Sequence, residues 1–411
     1  MGAPLIHIIP LSLIKHHGKN RKEPIMTEKL YYTDSHLSTF QARVVSCQAV
    51  AEGFEVILNR TAFYPLGGGQ AADTGILGTS RVLDTRERGE EIVHLCDAPL
   101  TPGELVEGQI DYDARFIRMQ QHSGEHIVSG IIHRRWGYHN TGFHMNLEAI
   151  VIDFDGVIPV EALPEIEGEA NRAIQRNIPL RIYTPGPEEL ERLSYRTKRA
   201  LPWPVRIVEI PGYDTCACCG THVAATGEIG LIKIFSAIPF RGGTRMEMAC
   251  GGPALALLNR VFDQNRQVSR LLSAQITQTG QAVEQFLETL ELWKGRALRL
   301  EKQLTTIRAG AFAGAGDCFA FPEELSPDGL RELADAGAKV SGGITAVFSQ
   351  GEAGVFYCLA KPDGDLRSLN REMNAALSGR GGGKPHFQQG RVSATPAEIR
   401  AFFLKKGFRE V

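Results

Sequence analysis

The segment Gln121-His122-Ser123-Gly124-Glu125-His126-Ile127-Val128 has helical character and sets two histidines four residues apart. That spacing puts both imidazoles on one helix face, close enough to share one metal ion. Further along, Cys218-Cys219-Gly220-Thr221-His222-Val223 repeats the four-residue spacing with Cys218 and His222. Three nitrogens and one sulfur suit Zn²⁺ in tetrahedral geometry. Alone, either motif reads as a surface pair; together they predict a metal site joining a helix to a distant segment. A helix carrying one half-site must then lie against the strands carrying the other, which makes the fold class α+β.

Outward from this centre, residues 29–110 alternate apolar and polar positions and are punctuated by glycine. Val44-Val45, Phe54–Leu58, Gly75–Leu77 and Ile92–Leu95 read as short strands of a small antiparallel β-barrel. Asp111 or Asp113 caps a helix that runs through the histidines to Trp136. Strands at 150–154, 205–210, 231–235 and 245–249, with a helix over 159–177, complete a mixed α/β metal-containing domain over 111–252. Residues 253–310 form a helical linker. Its apolar spacing predicts an antiparallel pair or one kinked helix interrupted at Gly280. Residues 309–317 read as a flexible connection. A small α/β C-terminal domain spans 311–411 with a Gly-rich loop at 379–384.

Several of these stretches resemble one family. His122–His126 with Cys218–Val223 resembles the HxxxH…CxGTHV signature of the alanyl-tRNA synthetase editing domain and of the free-standing AlaX-type editing proteins. Phe63-Tyr64-Pro65-Leu66-Gly67-Gly68-Gly69-Gln70, continuing to Asp73-Thr74-Gly75, is similar to that family's FYP-x-GGGQ-x-x-DTG segment. Gly243–Glu247 is similar to its R-I-E strand, and Gly381–Pro385 to the glycine loop of the domain that follows. The four-residue match selects Cys218 as ligand over Cys216 and Cys219. The resemblance implies a long-form, stand-alone hydrolase that deacylates tRNA(Ala) mischarged with serine, and also with glycine, at a zinc-containing site. It further implies that the C-terminal part binds tRNA or forms a homodimer. Little precedes the editing-like region, so no room is expected for ATP-dependent amino-acid activation.

The composition agrees with a globular chain. Of its 411 residues 43% are hydrophobic and 22% charged, and the net charge of −2 excludes a global basic field for nucleic acid. Any tRNA contact must therefore use local patches. Scattered cysteines plus one cluster beside a histidine read as a reducing cytoplasm and a metal site. No apolar run is long enough for a membrane span. Residues 1–28 form an extension expected to be disordered. Its positive charges follow the apolar Leu5–Leu13 run, the reverse of a secretory signal.

Three functions compete for such a site. His122–His126 is formally HxxEH, which in a metalloprotease makes the Glu a general base. Cys218 and His222 would then compete for the open position that such an enzyme needs. A purely structural zinc in a non-catalytic tRNA- or RNA-binding module also fits four protein ligands. The third is ester hydrolysis, in which zinc activates water or stabilises the oxyanion. Gln70, after three glycines, and Thr61 are the candidate contacts to the amino acid or the terminal adenosine. Arg380 and Lys384 flank flexible backbone that would cradle phosphate. Glu125 reads as a helix-surface residue.

Overall fold

The computed structural model describes residues 26–197, 204–322, 325–351 and 354–411, and the chain divides into compact units 1–264 and 265–411. Most of the expected N-terminal extension lies outside the described residues. In the first unit, Thr39–Val50, Gly53–Leu58, Glu91–Cys96, Ser80–Arg88, Gly75–Leu77 and Leu105–Ile110 pair in that order, and the last pairs with the first. The barrel so closed is filled by Phe40, Val44, Val56, Leu58, Phe63, Leu77, Val82 and Val106. Strict alternation explains the inside: every second residue of Leu105–Ile110 is buried.

Beyond the barrel, Ile232–Phe240, Gly243–Cys250, Ile150–Phe154 and Asn140–Met145 form an antiparallel sheet in that order. A smaller sheet joins Arg181–Tyr183, Ile207–Ile210 and Asp214–Ala217. Helix α1 (Tyr112–Trp136) runs through the middle of the unit. Asp111 caps it, accepting the Ala114 N–H at 3.2 Å, and Gly137 ends it in the left-handed conformation at φ 74°. Helices α2 (Leu163–Gln175) and α3 (Pro187–Arg192) follow, and α2 packs on α1 and the first sheet through Ile166, Ala170 and Ala173.

Helix α1 has no apolar stripe, because it is buried on every side from Gln120 to Ile132. Its polar side chains must therefore find partners inside the protein. Arg115, fully buried, forms an ion pair with the equally buried Asp73: its Nε lies 3.1 and 2.9 Å from the two carboxylate oxygens, and Nη2 also meets Asp73. The remaining donors reach the carbonyls of Ser35 (3.0 Å) and Ala62 (2.7 Å). This pair fixes the segment Phe63–Gly75 to the helix; Asp73 also accepts the Tyr64 N–H at 2.6 Å.

Helix α4 (Gly252–Leu271) continues from the first unit into the second, and α5 (Thr279–Ala309) follows it. The break falls at residues 272–278; Gly280 is the second residue of α5 and interrupts nothing. The expected flexible connection is instead a 3₁₀ turn, Gly310–Phe312, whose Phe312 is buried, followed by the strand Gly316–Ala320. Six strands of the second unit pair in the order Gly379–Lys384, Phe387–Val392, Gly354–Ala360, Gly342–Gly351, Gly316–Ala320, Arg409–Glu410. Helix α6 (Pro327–Ser341) covers one face through Leu330, Leu333 and Ala334. Helices α7 (Arg367–Ala376) and α8 (Pro396–Lys405) cover the other through Met373, Ile399 and Phe403.

The Gly-rich loop predicted at 379–384 is an edge strand. Gly381 on it, and Gly390 on the neighbouring strand, share a steric cause. Tyr357 passes the strands Phe387–Val392 and Gly379–Lys384 to reach Asn370 (2.6 Å) and Asn374 (3.1 Å) on α7. A Cβ at Gly381 or Gly390 would lie 2.2 or 2.6 Å from the Tyr357 hydroxyl.

The Asp73–Arg115 pair gives the first prediction. Asp73→Ala leaves a guanidinium buried without its carboxylate and should cost about 3–5 kcal/mol of stability. The double variant Asp73→Ala/Arg115→Met should cost clearly less than the sum of Asp73→Ala and Arg115→Met alone. Denaturant unfolding of the four proteins reads this cycle; additive losses would remove the pair from its organising role.

Candidate metal centre

His122 and His126 come from the middle of α1, and Cys218 and His222 from the segment just after the strand Asp214–Ala217. Their ligating atoms all lie within 4.8 Å of one another. The Cys218 Sγ is 3.4 Å from Nε2 of His122 and 3.4 Å from Nε2 of His222. Zinc bonds of about 2.1 Å to nitrogen and 2.3 Å to sulfur at a tetrahedral angle span an N···S edge of about 3.5 Å. The donor set therefore fits a tetrahedral ion.

Each imidazole is held from behind. Gln70 Oε1 lies 3.1 Å from Nδ1 of His122 and accepts the Thr221 N–H at 3.2 Å, while its Nε2 donates to Thr221 Oγ1 at 2.8 Å. The Thr221 N–H fixes which end of the amide is the acceptor, so Nδ1 of His122 carries the proton and Nε2 faces Cys218 bare. Ser123 Oγ is 3.1 Å from Nδ1 of His222 and takes the Val223 N–H at 3.2 Å. Asp214 Oδ2 is 2.9 Å from Nδ1 of His126. Arg196 in turn donates to Asp214 at 2.6 and 2.8 Å.

The electrostatics suit a cation. Burial pushes His222 down to about 3, leaving it neutral. Burial opposes ionisation of Cys218, yet His122, His222 and the bonds to His122 and His126 hold its thiol well below the usual range. Burial also raises Asp214, but His126 and Arg196 overcome it and hold the carboxyl at about 2. Burial opposes protonation of His126, yet its bonds to Asp214 and Cys218 push it up to about 10, so ligation there must displace a proton. The Cys218 thiolate, the neutral His222 and the Asp214 carboxylate are already in the states metal ligation requires.

The group lies at a cavity of about 450 Å³. Tyr64, Leu66 and Gly68 line one side, Glu125 and His126 the helix side, and Cys216, Cys218 and Gly220 the strand side. Glu125, expected on the helix surface, is only 2% exposed; it accepts from Ser129 Oγ at 2.6 Å and Asn140 Nδ2 at 2.5 Å. Gln70 and Thr61 are both fully buried and neither lines this cavity. Thr61 bonds His94 Nε2 at 2.9 Å within the barrel, where burial pushes His94 down to about 4. Gln70 belongs to the back of His122. Arg380 and Lys384 lie in the second unit, on the edge strand.

Sequence reasoning missed Asp214 and the depth of Glu125. A signal for Asp214 was present: on an extended segment Asp214, Cys216 and Cys218 fall on one face at period two. Nothing local marks Glu125, because a helix buried all round has no polar side to read.

Comparison with known proteins matches two families. Residues 205–248 match the threonyl and alanyl tRNA synthetase second additional domain, and residues 12–114 match tRNA synthetases class II (A). The alanyl-tRNA editing protein AlaX-L of Pyrococcus horikoshii is 28% identical over 93% of this chain and 98% of its own. The alanyl-tRNA editing protein Aarsd1 of Mus musculus is 27% identical over 91% of this chain and 96% of its own. The alanine–tRNA ligase of Halorubrum lacusprofundi is 32% identical over 89% of this chain, which spans only 42% of that ligase.

Gly220 supplies the second prediction. A Cβ there would sit 2.1 Å from Cε1 and 2.4 Å from Nδ1 of His122. Gly220→Ala should therefore displace His122 and empty the site of metal, although Gly220 is no ligand. Elemental analysis beside circular dichroism checks this: a folded Gly220→Ala protein with full metal content contradicts the packing described.

Proposed function

From a chain that resembles the alanyl-tRNA editing proteins over nearly its whole length, we propose a hydrolase that removes the wrong amino acid from tRNA(Ala), chiefly serine and also glycine. The observation that carries this reading is that three of the four clustered donors, His122, His126 and Cys218, belong to residues on the wall of a cavity. His122, His126, Cys218 and His222 would hold Zn²⁺, which supplies Lewis-acid polarisation of an ester carbonyl or of water. The chain's own residues do the rest. Gln70, Ser123 and Asp214 fix the imidazole orientations, and Glu125 places a carboxylate on the wall beside His126. Burial of the walls strengthens every polar contact made inside.

Activation pockets built for alanine's methyl group reject a small hydroxylated analogue poorly, which is why a hydrolytic second sieve is useful. Gln70 and Thr61 were the expected readers of the serine hydroxyl. Their burial favours a different role for Gln70, as a positioning residue acting through His122.

Local features support tRNA as partner despite the chain's near-neutral charge. Arg380 and Arg391 stand directly opposite each other on neighbouring strands, and neither has a carboxylate partner among the described residues. Like charges so placed are destabilising unless an anion joins them. Lys384 closes the same strand. An exposed apolar series on α5, Phe286, Leu290, Trp293, Leu300, Leu304 and Ile307, supports a homodimer through the C-terminal region. All eight cysteines are free, which suits a reducing cytoplasm, and among the described residues no helix is long and apolar enough to cross a membrane.

The decisive experiment is amino-acid release from Ser-tRNA(Ala) and Ala-tRNA(Ala). Serine should be released far faster than alanine, and Cys218→Ala should abolish release together with zinc, whereas Cys219→Ala should keep both. Binding of tRNA with no release would favour the alternative of a binding module with a structural zinc. Gln70→Ala should weaken zinc affinity about 10–100-fold and slow both substrates in parallel, while Gln70→Glu, which keeps the acceptor oxygen, should retain metal. Selective loss on Ser-tRNA at full zinc would restore Gln70 as a reader of the hydroxyl. Arg380→Ala/Arg391→Ala should weaken tRNA binding and flatten its salt dependence; an unchanged salt slope would remove this strand from the interface.

A further inference from the structure

The cavity wall carries an aromatic ring that neither the metal group nor the core requires. Tyr32 closes the 3₁₀ turn Leu30–Tyr32 and lines the cavity, with 37% of its surface exposed. Tyr64, the other tyrosine on the wall, is only 3% exposed and cannot offer a ring face. Tyr32 is held firmly for an exposed residue. Its ring meets the buried Tyr31 edge-on at 4.7 Å, and the Arg206 guanidinium lies over it at 5.1 Å. That guanidinium donates to the carbonyls of Cys218 (2.8 Å) and Gly220 (2.9 Å). The ring is thereby keyed to the segment that carries the metal ligands, through one side chain.

The chemistry of the substrate says what such a ring would meet. In an aminoacyl-tRNA the ester sits on the terminal ribose, so an acyl group at the donors leaves the terminal nucleoside within the same cavity. Every nucleobase presents a π-face, and a rigid aromatic side chain is the usual platform for it. The Arg206 cation over the ring helps to hold it in place. Resting on the hydrolase reading above, we propose that Tyr32 is the stacking platform for the 3′-terminal base of the RNA. Arg206 holds that platform in register with Cys218 and Gly220.

Uncharged tRNA(Ala) whose terminal adenosine is replaced by 2-aminopurine riboside tests this without turnover, because stacking quenches the fluorophore. At saturating tRNA the wild-type protein and Tyr32→Phe should quench it. Tyr32→Leu, which keeps an apolar side chain against Tyr31, should not. With Ser-tRNA(Ala), Tyr32→Leu should raise KM roughly 10–100-fold and lower kcat by much less. Equal quenching in Tyr32→Leu and wild type overturns the proposal, as does loss of quenching in Tyr32→Phe, which would assign the effect to the hydroxyl. Quenching without serine release in the wild type would sink the hydrolase reading alone. Serine release with no effect of Tyr32→Leu would sink the platform alone.

Discussion

A helix buried on every side can carry polar residues only if each finds a partner, and the first unit is built around that demand of α1. Arg115 reaches Asp73, Glu125 reaches Ser129 and Asn140, and His126 reaches Asp214. The partners come from the segment after the first strands, from the helix itself, and from two separate sheets. Satisfying α1 therefore docks each of these pieces in one register. The Asp73 end of the helix holds the Phe63–Gly75 segment, and the same segment delivers Gln70 to His122 about two turns further along. Fold and site are consequences of one set of buried polar contacts.

This explains what could be read from the chain. The alternation in Leu105–Ile110 and the capping Asp111 announce their elements directly, since each is a local signal. The four metal donors were legible because spacing alone puts pairs of them on common faces. Gln70 was legible as important but not in its role: a glycine run followed by an amide says that backbone comes close to something, not that the amide points at an imidazole. Glu125 was misread because amphipathicity, the usual guide to which side of a helix is wet, fails when no side is wet. The same failure applies at 379–384. Glycines there look like flexibility, whereas Gly381 leaves the space that Tyr357 occupies on its way to α7.

Arg380 and Arg391 show the complementary case, a cost left standing. Cross-strand arginines with no acid beside them among the described residues are not what folding would select for stability. Several other surface arginines are paired: Arg245 with Asp153, Arg81 with Asp97, Arg367 with Asp365. The contrast between those neutralised pairs and this one is stronger support for an anionic partner than the net charge, which averages the two away.

Four protein ligands ordinarily mean a structural ion, so the disposition of the four matters more than their number. His122, His126 and Cys218 are on the cavity wall, whereas His222 is not. His222 stands behind them, braced by Ser123, and is 1% exposed. A sealed structural site gives no account of three donor residues bordering a cavity of about 450 Å³. A site that handles a substrate does, because a molecule entering the cavity meets the His122–His126–Cys218 face directly. Glu125 borders that face with a carboxylate whose other oxygen is held by Ser129 and Asn140, so its orientation is set before anything arrives. Preorganised polar groups along a cavity wall are what the proposed ester hydrolysis asks of a protein.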